Sequence, residues 1–252
     1  MYGWRARIGL LIPSANVTME PEFNQFLPEG ISVHVARMMI EDSTEEGLSK
    51  MEKEIELAAR QVKGIGPDLI IFGCTSGSFF KGSGHNDKIA HLVENITGIP
   101  AITASQAVVS CLRQLRIGKV VVATPYTDEI NQKEKTFLEE NEIEVIRIRG
   151  LGFSQYEAYF PLSRQPVSHI GLQEPYVAYK LALEIFVQEA EGIFISCTNF
   201  RTFEIIEKLE RTVRRPVVTS SQACLAFALQ KLNIWESIPK LGQLLSLNWR
   251  NY

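Results

Sequence analysis

Two segments of this 252-residue chain place a thiol where strand-end chemistry is done: Cys74 in FGCTSGS and Cys197 in ISCTNF. Each follows a short apolar run, and each is followed directly by threonine. In open parallel sheets ligands bind beyond the carboxyl ends of the strands, the position both cysteines would occupy. If a helix follows each strand, the backbone N–H groups from Thr75 to Gly77 and from Thr198 to Phe200 can point at a thiolate or a bound carboxylate. A helix N-terminus also lowers a thiol pKa, so Cys74 and Cys197 are expected to alkylate faster near neutral pH than the other two cysteines. Those two, Cys111 and Cys224, fall on apolar helical faces after Ser105-Gln and Ser221-Gln and read as core. All four are widely spaced, with no C-x-x-C and no nearby histidine pair, so the sequence points to neither a metal site nor a disulfide framework.

Around the thiols stand residues able to hold a small anion. Asn16, in Pro13-SANVT, can donate its amide to a carboxylate or cap the helix that follows. Tyr126, in Thr124-Pro-Tyr-Thr, is its counterpart further on, and Asn199 can orient a carboxylate or cap a helix. With Thr75, Ser76 and Thr198 these form the candidate substrate-binding set. Gly82-Ser-Gly84 lacks the context of a phosphate loop. His85 and His91 read as helix-surface residues, and the acidic region from Glu52 to Glu56 reads as a solvated helix face.

The elements that must position these groups alternate between β-branched runs and helical periods. Strands are expected at Arg7-IGLLIP, Ile31-SVHVAR, Asp68-LIIFG, Pro100-AIT, Lys119-VVVATP, Ile143-EVIRIR, Gly192-IFIS and Pro216-VVTS. Ser43-TEE reads as a capping box for one helix whose apolar face carries Leu48, Met51, Ile55, Ala59 and Val62. The chain also repeats itself. Ile31 and Ile143 lie 112 residues apart in matching strands, and Pro216-VVTSSQA echoes Pro100-AITASQA beyond the shared Cys-Thr. The expected fold is therefore α/β, with two pseudo-symmetric flavodoxin-like domains, each holding a four-stranded parallel sheet, and the active site between them. The boundaries expected are 1–104 plus 221–252 for the first domain and 105–220 for the second. An extra aromatic stretch from Leu151 to Gly171, with Tyr156, Tyr159 and Phe160, is expected to cover the cleft.

Composition narrows the partners. With 45% hydrophobic and 22% charged residues the chain falls in the ordinary globular class, and a net charge of −3 with scattered lysines and arginines gives no field for nucleic acid. No run approaches the ~18 apolar residues of a membrane helix, and the start enters a strand without a cleavage site. A cytoplasmic location is expected.

PSANVT, GCTSGSFFKG, ATPYTDEIN and SCTN together resemble the aspartate/glutamate racemase superfamily. Within it the likeness is to the branch of maleate cis-trans isomerase, arylmalonate decarboxylase and the ectoine-utilisation isomerase-like proteins. The resemblance implies no cofactor, a small carboxylate or dicarboxylate as substrate, and association into a homo-oligomer as one option. It implies Cys74 as nucleophile or base, Cys197 as proton donor, and Asn16 and Tyr126 as holders of the carboxylates. Arylmalonate decarboxylase has glycine in place of the first cysteine, so a chain with both reads as an isomerase, either cis-trans or racemising. A lyase acting on a substituted malonate and a non-catalytic carboxylate binder stand as the alternatives.

Overall fold

A computed structural model describes residues 1–154, 158–159 and 166–246. All eight expected strands form. β1 (Ala6–Pro13), β2 (Ile31–Met38), β3 (Leu69–Phe72) and β4 (Ala101–Thr103) make one parallel sheet in the order β2-β1-β3-β4. β5 (Lys119–Thr124) and β6 (Glu144–Gly150) pair in parallel in a second sheet. After them come the two-residue strands β7 (Ala158–Tyr159) and β8 (Pro166–Val167), which pair with each other in a separate hairpin. β9 (Gly192–Ile195) and β10 (Val217–Thr219) complete the second sheet, whose order is β10-β9-β5-β6. Matching β1 with β5, β2 with β6, β3 with β9 and β4 with β10 gives one order for both halves, so the duplication is structural.

The central strands β3 and β9 are buried along their whole length, as helices on both faces of a parallel sheet require. Burying each isoleucine side chain of Leu69–Phe72 contributes about 1.5–3 kcal/mol. The most closely repeated motif has a purely structural cause. Thr103 and Gln106 form a capping box at the start of helix Ala104–Gln114, and Thr219 and Gln222 form the same box for helix Ser220–Lys231. The two helices then pack on one another. Gln114 Nε2 donates to Gln230 Oε1 at 2.7 Å and Gln230 Nε2 returns a bond to Gln114 Oε1 at 2.9 Å. These glutamines occupy equivalent places in the repeat and mark its pseudo-twofold axis.

Three local expectations change. The single helix expected after Ser43 is two, Glu45–Glu52 and Ile55–Lys63, capped by Thr44, whose hydroxyl accepts from Gly47 N. Its apolar face is nonetheless buried as expected. His85 is not a surface residue: it is 5% exposed, set edge-on against the Phe80 ring at 5.2 Å. Finally, no helix follows Cys197 directly; turns run on until helix Ile206–Val213.

Candidate active site

Both thiols reach one cavity. Cys74 and Cys197 line it with Pro13, Asn16, Ile40, Ser43, Thr75, Ser76, Tyr126, Ile170, Thr198 and Asn199. All eight residues singled out in the sequence are thus brought together. Pro13, Ile40 and Ser43 were not foreseen: Pro13 ends β1 and the other two follow β2, and their place at the sheet edge is revealed only by the assembled halves; Ile170 belongs to the stretch expected to cover the cleft. None of the lining side chains carries a charge, and the space is about 30 Å³, closed around little more than water.

The two cysteines are held differently. Cys74 lies two residues beyond β3 and caps helix Thr75–Phe79, its sulfur accepting from Gly77 N at 3.4 Å and lying 3.8 Å from Ser76 Oγ. A side chain on Gly77 would put its Cβ 3.0 Å from that sulfur, so glycine is what admits the approach. Cys197 has no helix behind it. Its φ of +93° is strained for a non-glycine residue, and its N–H is held by Ser220 Oγ at 3.0 Å. Its sulfur accepts from Asn199 N at 3.4 Å.

Burial outweighs these donors. It pushes the Cys74 thiol up to about 11, with Gly77 N–H and Ser76 pulling the other way, and the Cys197 thiol up to about 12, with Asn199 N–H and Tyr126 opposing. The expectation of thiols activated by helix ends is therefore reversed in direction. Cys111 and Cys224 are fully buried and raised further still.

The wall around the thiols joins the two halves. Asn16 Oδ1 accepts from the N–H groups of Thr18 and Met19 at 3.0 Å, and its Nδ2 donates to Thr198 Oγ1 at 3.0 Å. It is a cap and a cavity wall at once. The Asn199 side chain is a strut between halves, accepting from Val17 N at 2.9 Å and donating to Ala15 O and Ser168 Oγ. The Tyr126 hydroxyl is buried close to Cys197 and Ser196 without a well-formed hydrogen bond to either, and Thr75 Oγ1 is buried and unpartnered. Such orphaned donors in a cavity wall fit an anion that is to be bound. In the segment from Leu151 to Gly171, Ser43 N donates to Ser154 O at 2.9 Å and Ile170 closes the cavity. Tyr156 and Phe160 lie outside the described residues.

Two buried carboxylates were missed in the sequence. Glu22 Oε1 accepts from Thr202 N and Phe203 N at 3.0 and 3.1 Å, and Glu134 Oε1 accepts from Ser196 Oγ at 2.5 Å. Burial raises each to about 8. The signal was present, since Glu22 and Glu134 are 112 residues apart, the spacing of Ile31 and Ile143.

Two pseudo-symmetric α/β halves, each with a thiol near the carboxyl edge of its sheet, share one uncharged cavity. The family model described as arylmalonate decarboxylase matches residues 8–245, and the chain belongs to that family. It is 26% identical to maleate isomerase from Nocardia farcinica over 95% of both chains. It is also 26% identical to arylmalonate decarboxylase from Bordetella bronchiseptica over 86% of both. Among solved structures, maleate isomerase from Pseudomonas putida S16 with maleate matches at a TM-score of 0.88, with 24% identity over 96% of this chain and 97% of that one. A Nocardia farcinica maleate cis-trans isomerase variant, one cysteine replaced by serine and bearing a covalently bound succinylcysteine intermediate, matches at 0.87 with 22% identity, over 96% and 98%. The resemblance seen in the sequence motifs holds at the level of family and fold.

Proposed function

We propose that the protein is a cofactor-independent cis-trans isomerase acting on a small unsaturated dicarboxylate, with Cys74 as nucleophile and Cys197 as proton donor. The observation that carries this is the unequal pair of thiols in one uncharged cavity. Cys74 has a helix end and the Gly77 N–H behind its sulfur, with Ser76 Oγ beside it. Cys197 has no helix end behind it, sits on strained backbone, and lies beside the Tyr126 phenol. A pair that shares one negative charge keeps it on Cys74.

The chemistry follows in balanced steps. The Cys74 thiolate adds to one alkene carbon, the π electrons pass to the neighbouring carbon and its carboxylate, and the Cys197 thiol gives that carbon its proton. A carbon–carbon single bond now joins the two carboxylate-bearing ends and rotates. The Cys197 thiolate then takes the proton back, the double bond reforms as trans, and Cys74 leaves as thiolate. Sulfur serves both as attacking and as leaving group. With no charged side chain in the lining, the developing charge falls to the hydroxyls of Thr75, Ser76 and Tyr126 and to backbone N–H groups, while Thr198, whose hydroxyl proton goes to the Gly73 carbonyl, shapes the wall. Asn16 holds a carboxylate through the second hydrogen of its amide.

The division of the chain into 1–104 plus 221–252 and 105–220 belongs to the same reading. Helix Ser220–Lys231 packs on β3 and helix Met19–Phe26, and helix Ala104–Gln114 packs on β10, so each reaches across to the opposite half.

Decarboxylation of a substituted malonate is the second reading, favoured by the family and by the apolar side chains of Ile40 and Ile170 in the cavity wall. Incubating the protein separately with maleate and with an arylmalonate, and following products by proton NMR, decides between them. Fumarate from maleate supports the isomerase; loss of CO₂ from the malonate with maleate untouched would favour the lyase, and turnover of neither would leave a binder.

A further inference from the structure

Glu134 has no part in the steps above and does not line the cavity, yet it is bonded to the residue that precedes Cys197. It lies on helix Asp128–Glu140, is 1% exposed, and pairs with no cation among the described residues. Its single hydrogen-bond partner there is Ser196, which is fully buried at the end of β9 and immediately precedes the strained Cys197. Its second oxygen has no partner, and the Tyr126 hydroxyl makes no well-formed hydrogen bond. Tyr126 and Cys197 both feel the Glu134 charge, and Tyr126 also lies against Ser196.

The duplication sharpens what this device is for. The position equivalent to Ser196 in the first half is Gly73, where a Cβ would strike Met19 Sδ at 2.7 Å. The carboxyl equivalent to Glu134 is Glu22, and it too grips the Cys197 segment, through Thr202 and Phe203. Both buried carboxyls therefore hydrogen-bond to the Cys197 side, and among the described residues neither makes a hydrogen bond to the segment of Cys74.

We infer that Glu134 is a positioning residue for Cys197: as an uncharged carboxylic acid it holds the Ser196 hydroxyl, and through it the neighbouring thiol and the Tyr126 phenol. The charge state follows from the surroundings. A thiolate and an anionic substrate must share a cavity that has no cationic lining, and a third negative charge behind Cys197 would oppose both. Burial agrees, keeping the proton on Glu134 up to about pH 8. The titratable groups facing it are Tyr126 after β5, Cys197 after β9 and, beyond them, Cys74 after β3. On its own helix Lys133 and Lys135 are engaged with Glu45 and Glu139, and on β6 Glu144, Arg147 and Arg149 are exposed.

The test begins without substrate, so it does not depend on the isomerase reading; only its turnover arm does. Alkylation of the full chain by iodoacetamide is followed peptide by peptide across the neutral and alkaline range. Glu134→Gln keeps an oxygen for Ser196 and removes the titration, so Cys197 should alkylate at the wild-type rate near neutrality and several-fold faster on the alkaline side. Cys111 should be unmoved. With maleate, Ser196→Ala should lower kcat with little change in KM, whereas Glu134→Gln should move the alkaline loss of activity to higher pH. Superimposable Cys197 profiles for wild type and Glu134→Gln would overturn the inference. A wild type inactive on maleate that still shows the alkylation difference would remove the isomerase reading and support the role of Glu134.

Discussion

The Thr198 hydroxyl, one residue past Cys197, donates to the carbonyl of Gly73, one residue before Cys74, at 2.8 Å. The same hydroxyl accepts from Asn16 Nδ2, so one side chain ties together the ends of β1, β3 and β9 where the two halves meet. The knot thus joins the residues next to the two thiols.

Thr198→Val keeps the shape and removes the hydroxyl. It leaves the Gly73 carbonyl and the Asn16 amide buried without it, a cost of about 1–3 kcal/mol for each group left unsatisfied. A lowered Tm in thermal melts, together with reduced kcat, is the expected result; a variant as stable and active as wild type would show the knot to be incidental.

Gly77→Ala probes the sulfur directly. The new Cβ would lie 2.9 Å from Met51 Cε and 3.0 Å from Cys74 Sγ. The methionine end can swing away, but the sulfur cannot move without leaving the Gly77 N–H. Turnover should fall about tenfold or more with only a small change in Tm, since misplacement of a reacting atom costs rate before it costs stability.

Stability should fall with rising pH. Glu22 and Glu134 have folded-state values raised from 4.5 to about 8. For a carboxyl raised in this way, its contribution to stability is complete below the ordinary value and is lost as pH climbs through the folded one, because the unfolded chain then holds fewer protons. Thermal melts should therefore show Tm decreasing between pH 5 and pH 9, by an amount on the order of a few kcal/mol in stability. In the double variant Glu22→Gln and Glu134→Gln that slope should flatten. A wild-type Tm that rises over this window would contradict the buried, neutral state of both groups.

Much of this fold is legible in the sequence because its signals are local and repeated. The β-branched runs mark all eight strands, and the Thr-x-Ser-Gln echo marks two capped helices and their symmetry. Cys74 and Cys197 are legible as a pair because each follows a strand. Their thiol acidity was misjudged, since burial is a property of the assembled halves and overrides the local helix end. The absence of a helix after Cys197 escapes periodicity for a similar reason: Asn199, Thr202 and Phe203 bond to Val17, Ala15 and Glu22 of the other half, contacts that no local pattern announces. His85 is misread because a lone histidine at a helix start carries no sign of the Phe80 ring that covers it.

The role division between the thiols is tested most directly by intact-mass spectrometry of Cys197→Ser and Cys74→Ser proteins after incubation with maleate. With its nucleophile intact and its thiol proton donor gone, Cys197→Ser should accumulate an adduct of the substrate's mass, mapped to Cys74, while Cys74→Ser forms none and neither variant turns over at the wild-type rate. An adduct on Cys197 in the Cys74→Ser protein, or full turnover by either variant, would contradict it.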